Sequence, residues 1–186
     1  MADQIREWCA GKNWTWRLGI WFFLAYISLR YILQNDYCSF FGGINLGVHE
    51  MGHVIFGFAG EAVCIAGGTI VELAAPIICA VMFWRQPDYF ALTFSGVWLA
   101  AGLYDVAVYA GDAQAMQLPL VSVGGGDVYH DWEYMLSKAN LLPYCGQISW
   151  FIRALAIVVS LISLVYGAWI LWLMARSESN QSKNFL

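Results

Sequence analysis

Charge is what this chain has least of. Only 12% of its 186 residues are Asp, Glu, Lys or Arg, against about a quarter in an ordinary soluble domain. Nine basic and thirteen acidic residues leave a formal charge of −4. No basic stripe exists to track phosphates, which excludes a nucleic-acid-binding surface. The five cysteines, Cys9, Cys38, Cys64, Cys79 and Cys145, are scattered with no CxxC pair. That set offers neither a disulfide framework nor a zinc ribbon, and Cys64 and Cys79 read as small apolar filler within apolar runs. Internal repeats and low-complexity segments are absent. The first twenty residues do not read as a cleavable leader, because Asp3, Glu7 and Lys12 precede the apolar run and no small-residue cleavage site follows it.

What is present is apolar: 60% of the residues are hydrophobic and 17% aromatic. They fall in long blocks, the mark of a membrane protein rather than a large soluble core. The expected fold is all-α, a polytopic membrane helix bundle formed by one domain over 1–186, with four to five spans. The blocks lie at about 16–33, 40–60, 69–84, 89–110 and 148–174. Arg17 and Arg30 flank the first, where long basic side chains reach the interface, and Trp14, Trp16 and Trp21 suit an aromatic belt. Six glycines between 42 and 60 make the second block thin-walled, which favours close helix packing. Pro76 is expected to kink the third. A long loop at 111–146 is the least lipid-like stretch, with a short helix expected near Trp132 and a glycine triplet, Gly124, Gly125 and Gly126, that reads as plain loop or flexible gate. The tail at 176–186 is polar and expected to be loose.

One motif carries chemistry. His49, Glu50 and His53 form H-E-x-x-H in the second block. On a helix, residues four apart share a face, so the imidazoles converge on one metal ion. Glu50 stands beside them as a general base, placed to take a proton from a water that the metal polarises. Chance produces this motif in on the order of half a percent of chains this long. Two histidines and a glutamate inside an apolar helix are costly unless paired or coordinated, which sharpens the signal. A catalytic zinc takes three protein ligands. The third is expected from the loop, Asp131 first and His130 second, the other orienting its neighbour. Haem, a chlorophyll-type magnesium or a plain cross-helix hydrogen bond are the competing uses of these histidines.

Asp105 and Asp112, seven residues apart and so on one helix face, are candidates for a polar site wall or an outer contact to the ligands. For Asp105 a cross-helix hydrogen bond is an equal reading, and for Glu72 it is the favoured one.

At His49–His53 the sequence resembles the site-2-protease type of intramembrane zinc metalloprotease, and more closely small bacterial membrane proteins of zinc-metalloprotease-like character. The stretches that carry the resemblance are HEMGHVIFGFAGEAVCIAGGTIVELAAP, YDVAVYAGDAQAMQLPLV and HDWEYML, spanning about half the chain over 47–136. It implies zinc on His49 and His53, Glu50 as general base, an aspartate as third ligand and a bacterial inner (cytoplasmic) membrane location. The Asn-Pro-Asp-Gly element of site-2 proteases has no counterpart here, and His130, Asp131 and Trp132 stand in its place.

The motif leaves two topologies. If all five blocks cross, the basic residues split five against four and give no orientation. If 40–60 is re-entrant, six (Arg6, Lys12, Arg17, Arg85, Arg176, Lys183) lie on the side of the termini and three (Arg30, Lys138, Arg153) on the side of the site. The positive-inside rule then puts the termini in the cytoplasm, and this topology is favoured. The leading function is a membrane-embedded zinc hydrolase acting on a transmembrane or near-membrane peptide. The competing one is a non-catalytic accessory subunit of a membrane complex, whose many aromatics pack against lipids or other subunits.

Overall fold

The computed structural model describes residues 2–119 and 130–183, with side chains described as far as 178. The glycines at 124–126 lie outside the described residues. Seven α-helices run in chain order: α1 (Ala2–Cys9), α2 (Thr15–Leu33), α3 (Phe40–Phe56), α4 (Glu61–Arg85), α5 (Ala91–Asp112), α6 (Asp131–Lys138) and α7 (Cys145–Lys183), the last preceded by a 3₁₀ turn at Leu142–Tyr144. No strand occurs among the described residues. Three helical segments, Glu61–Arg85, Ala91–Asp112 and Leu142–Glu178, are long and apolar enough to cross a membrane.

Short polar side chains start several helices where backbone N–H groups lack partners. Asn13 Oδ1 accepts from Thr15 N at 2.9 Å before α2, Ser39 Oγ from Phe41 N at 3.1 Å before α3, and Asp88 Oδ1 from Ala91 N at 3.2 Å before α5. Gly60 precedes α4 at φ +93°, a backbone shape that a side chain disfavours. Asn140, at φ +57°, ends α6 in the left-handed region where Asn is among the tolerated residues.

Helices α5 and α7 form the antiparallel centre. Gly96 faces Ser163 at one level, and Ser149 Oγ donates to the Ala107 carbonyl at another, 2.6 Å away. Against α7 lies α2, also antiparallel: Trp14 Nε1 donates to Glu178, Trp21 Nε1 to the Leu164 carbonyl, and Arg153 to the Tyr31 carbonyl. Contacts along α3 run parallel to α5, from Phe41 on Phe94 (5.5 Å between ring centres) through Asn45 on Trp98 and Asp105 to His49 beside Tyr109 (6.0 Å). Helices α2, α3 and α5 therefore point their C-terminal ends toward α6. There Ala113, Leu136 and Cys145 join α5, α6 and α7. The opposite end is closed by Ile5 and Cys9 of α1 against Tyr89, Phe90 and the far part of α7. Burial there pushes the Cys9 thiol up to about 11, which keeps it an inert apolar contact.

The link between α2 and α3 runs backwards. Tyr31, near the end of α2, stacks on Tyr104 at 4.8 Å, whereas Phe40, the first residue of α3, stacks on Phe23 at 5.9 Å. Eight residues separate Phe23 from Tyr31, about 12 Å along a helix. The chain thus drops back into the bundle before α3 rises again.

Three boundaries differ from expectation. The second block ends at Phe56, and α4 begins at Glu61 rather than near 69. Gly67 and Gly68 look like helix breakers in sequence, yet they are the places where α3 and α4 touch, and tertiary packing overrides their poor propensity. The stretch expected to be a loose tail continues α7 to Lys183. Ser177 Oγ and the Trp14–Glu178 contact tie that extension to α1 and α2. Pro76 lies buried within an unbroken α4.

Candidate metal centre

One face of α3 presents Phe41, Asn45, His49 and Gly52, all buried, with His53 half-buried beside them. This is the 3.6-residue stripe of a helix packed on a neighbour. The neighbour is α4, and it lies very close. A Cβ at Gly52 would collide with the Gly67 carbonyl, and one at Gly68 would sit 2.5 Å from His49 Nε2. Paired glycines let the backbones touch, and Gly68 forms the slot into which the His49 ring fits.

Each imidazole is held on the ring nitrogen facing away from the centre. His49 Nδ1 lies 3.0 Å from Glu72 Oε2, and His53 Nδ1 lies 2.9 Å from the Cys64 carbonyl oxygen. A carboxylate and a carbonyl only accept, so both Nδ1 atoms carry hydrogen. In the neutral rings both Nε2 atoms are then bare lone pairs. They converge on one oxygen, Asp131 Oδ2, at 2.9 Å from His49 and 3.2 Å from His53. Three acceptors facing each other without a hydrogen repel unless a cation lies among them. Ligand atoms of His49, His53 and Asp131 all fall within 4.8 Å of one another. A tetrahedral zinc spaces its ligand atoms by roughly 3.3 Å, which the His53–Asp131 separation approaches. Donating the second ring N–H to a carboxylate and a carbonyl is the usual outer arrangement around a metal-bound histidine. The group can hold a metal ion.

Asp131 opens α6, and its backbone N–H donates to Tyr109 Oη at 3.1 Å. His130 has a different task. Its Nδ1 accepts from Glu133 N at 3.2 Å and caps α6, so its hydrogen is on Nε2, 3.4 Å from Asp112 Oδ2. A neutral ring in that tautomer has no lone pair left for a metal. Asp112 also accepts from Gln117 N and Leu118 N, so the carboxylate that faces His130 is itself held by the turn after α5.

Asp105 lies away from the ligands. It accepts from Asn45 Nδ2 at 2.7 Å, while Asn45 Oδ1 accepts from Trp98 Nε1 at 2.8 Å. This is the cross-helix hydrogen bond rather than a site wall, because Asp105 faces the turn of α3 that precedes His49. Glu50 is half-buried on the flank of α3 that carries Gly43 and Gly47, where a Cβ at either glycine would meet nothing within 4 Å. The base candidate is therefore half-buried, whereas His49 and Asp131 are buried.

Sequence reasoning named Glu72 and favoured a cross-helix hydrogen bond for it, which it makes to His49, but missed Tyr109 and Gly68 as parts of this centre. A lone carboxylate in an apolar helix was the available signal for Glu72. Gly67 and Gly68 together, opposite Gly52, were the available signal for Gly68, and nothing marked Tyr109. Set against protein-family models, curated proteins and solved structures, the chain has no match.

Proposed function

We propose that the protein is a membrane-embedded zinc metallohydrolase of the peptidase kind. The observation that carries this reading is the convergence of two anchored imidazoles and a buried carboxylate on one point, with the half-buried Glu50 next to His49 in the chain. His49, His53 and Asp131 would hold the ion, and three protein ligands suit a catalytic rather than a purely structural zinc. When bound, zinc supplies Lewis acidity that polarises a peptide carbonyl and lowers the pKa of water. Glu72 and the Cys64 carbonyl keep both rings in the binding tautomer. Glu50 takes the proton of the attacking water and returns it to the leaving nitrogen as the C–N bond breaks. Gly43 and Gly47 leave the backbone beside Glu50 uncovered, so an extended or helical peptide segment can lie close to it.

The membrane topology belongs to the same reading. With 17 residues α3 is about 25 Å long, at the lower limit of what a crossing needs. Its start, level with the middle of α2, supports a re-entrant helix, while α2, α4, α5 and α7 cross. Both termini then face the cytoplasm of a bacterial inner membrane, and the site faces outward. Reporter tags in the turns at 34–36 and 57–60 are expected on the same membrane face; tags on opposite faces would mean that α3 crosses.

The reading is tested by elemental analysis of detergent-purified protein and by hydrolysis of a quenched fluorescent transmembrane peptide. About one zinc per chain is expected in wild type and in Glu50→Gln. Hydrolysis in Glu50→Gln is expected to fall by at least about a hundredfold, the scale of lost general-base catalysis. Full activity in that variant would end the catalytic assignment. The alternative, an accessory subunit of a membrane complex, draws support from Trp150 and Phe151, exposed at 71% and 67% near the start of α7. It requires that the protein purify only with partners.

A further inference from the structure

We infer that Tyr109 is a positioning residue that makes Asp131 available as the third metal ligand; this rests on the metal reading above. Asp131 is the first residue of an eight-residue helix, and a helix that short does not hold itself in place. Three backbone hydrogen bonds locate its opening turn, besides side-chain contacts of His130 with Asp112 and of Tyr134 with Glu61. The Glu133 N–H donates to His130 Nδ1 and the Tyr134 N–H to the His130 carbonyl, but both of these lie within α6 and its own cap. The Asp131 N–H donates to Tyr109 Oη, which belongs to α5. Among these backbone bonds only the last ties the opening turn of α6 to a crossing helix, and it does so at the residue whose carboxylate faces the imidazoles.

Tyr109 suits that task. Helix α5 is the most completely buried of the three helical segments long and apolar enough to cross a membrane. The Tyr109 ring lies between the two parts that must be kept in register, 6.0 Å from the His49 ring and 4.4 Å from the His130 ring. Its hydroxyl oxygen sets the height of the Asp131 backbone, and from there the side chain reaches 2.9 Å and 3.2 Å from the two Nε2 atoms. Without the hydroxyl, the Asp131 N–H loses its partner on α5, and the register of the opening turn of α6 is left to side-chain contacts such as His130 facing Asp112 and Tyr134 Oη donating to Glu61. His49 and His53 stay where they are, since Glu72 and the Cys64 carbonyl orient them independently. Loss of the hydroxyl therefore weakens one ligand of three while the other two stay in place.

The test is competition titration of purified full-length protein with Zn²⁺ against a chelator, beside Co²⁺ absorption spectra and the melting temperature of the metal-free protein. In Tyr109→Phe zinc is expected to bind roughly ten- to a hundredfold more weakly, the range found for outer contacts to metal ligands. The Co²⁺ spectrum is expected to change with the loss of a carboxylate oxygen, and the metal-free melting temperature to stay. Tyr109→Leu also removes the ring packing. Positioning by the hydroxyl predicts the same loss of affinity in both variants, whereas a packing role predicts loss in the leucine variant alone and would overturn the inference. Wild-type affinity and spectrum in Tyr109→Phe would overturn it as well, with the metal reading intact. A wild-type protein that binds no zinc would remove that reading and this inference together.

Discussion

Replacing Asp131 by asparagine is expected to abolish stabilisation by zinc while leaving the metal-free fold intact. Two cations can reconcile the acceptors that meet here: a divalent metal among all three, or a proton held on one imidazole. The asparagine amide would keep the shape of the side chain and bring two N–H hydrogens to the point where Asp131 Oδ2 now faces two ring nitrogens, at 2.9 Å and 3.2 Å. The hydrogen bonds of the metal-free centre are then satisfied without any cation, so the usual cost of an orphaned buried group does not arise. As a metal ligand, however, a neutral amide replaces an anion. Outer contacts alone change metal affinity by about ten- to a hundredfold, and loss of an anionic ligand is expected to cost on the order of a hundredfold or more. Zinc at a hundred times its Kd stabilises a fold by about 2.7 kcal/mol. Thermal melting with and without zinc reads both arms: wild type should rise with zinc, and Asp131→Asn should not. A variant that melts far lower than wild type without metal, beside a wild type indifferent to zinc, would mean that the centre is an ion-pair network and not a metal site.

Gly68→Ala is expected to damage the centre without touching a ligand. Its Cβ would stand 2.5 Å from His49 Nε2 and 2.7 Å from both neighbouring ring carbons. The ring cannot retreat while its Nδ1 stays on Glu72, and α4 cannot retreat while Gly52 lies against the Gly67 carbonyl. The strain of such overpacking is typically about 1–3 kcal/mol, and it falls on the atom that binds the metal. Zinc affinity is expected to drop by at least about tenfold and the melting temperature to fall. Gly47→Ala is the control, because a Cβ there meets open space; its zinc content should equal that of wild type. Equal zinc affinity in Gly68→Ala and Gly47→Ala would refute the slot.

The membrane class and the pair His49 and His53 were legible in the sequence because both are local properties. Apolar blocks declare themselves by length, and helical period alone puts residues four apart on one face. The same locality explains the boundary errors: the third block reads as 69–84, because the reason that Gly67 and Gly68 lie inside a helix, the contact of α3 with α4, lies in another helix. Asp131 is 82 residues from His49 in sequence. The sequence ranks it ahead of His130 as third ligand, and the fold gives the reason, committing His130 Nδ1 to the cap of α6. A cross-helix hydrogen bond is the expectation for Glu72, but its partner, the His49 ring, was fixed only when α4 packed antiparallel to α3. Asp105 and Asp112 share a helix face, yet they serve different partners, because α3 passes the first and His130 the second. The sequence by itself determined what kind of solvent this protein lives in and which two rings share a helical face. Which carboxylate meets them, and which groups hold them, was decided by contacts between helices distant in the chain, which no local period encodes.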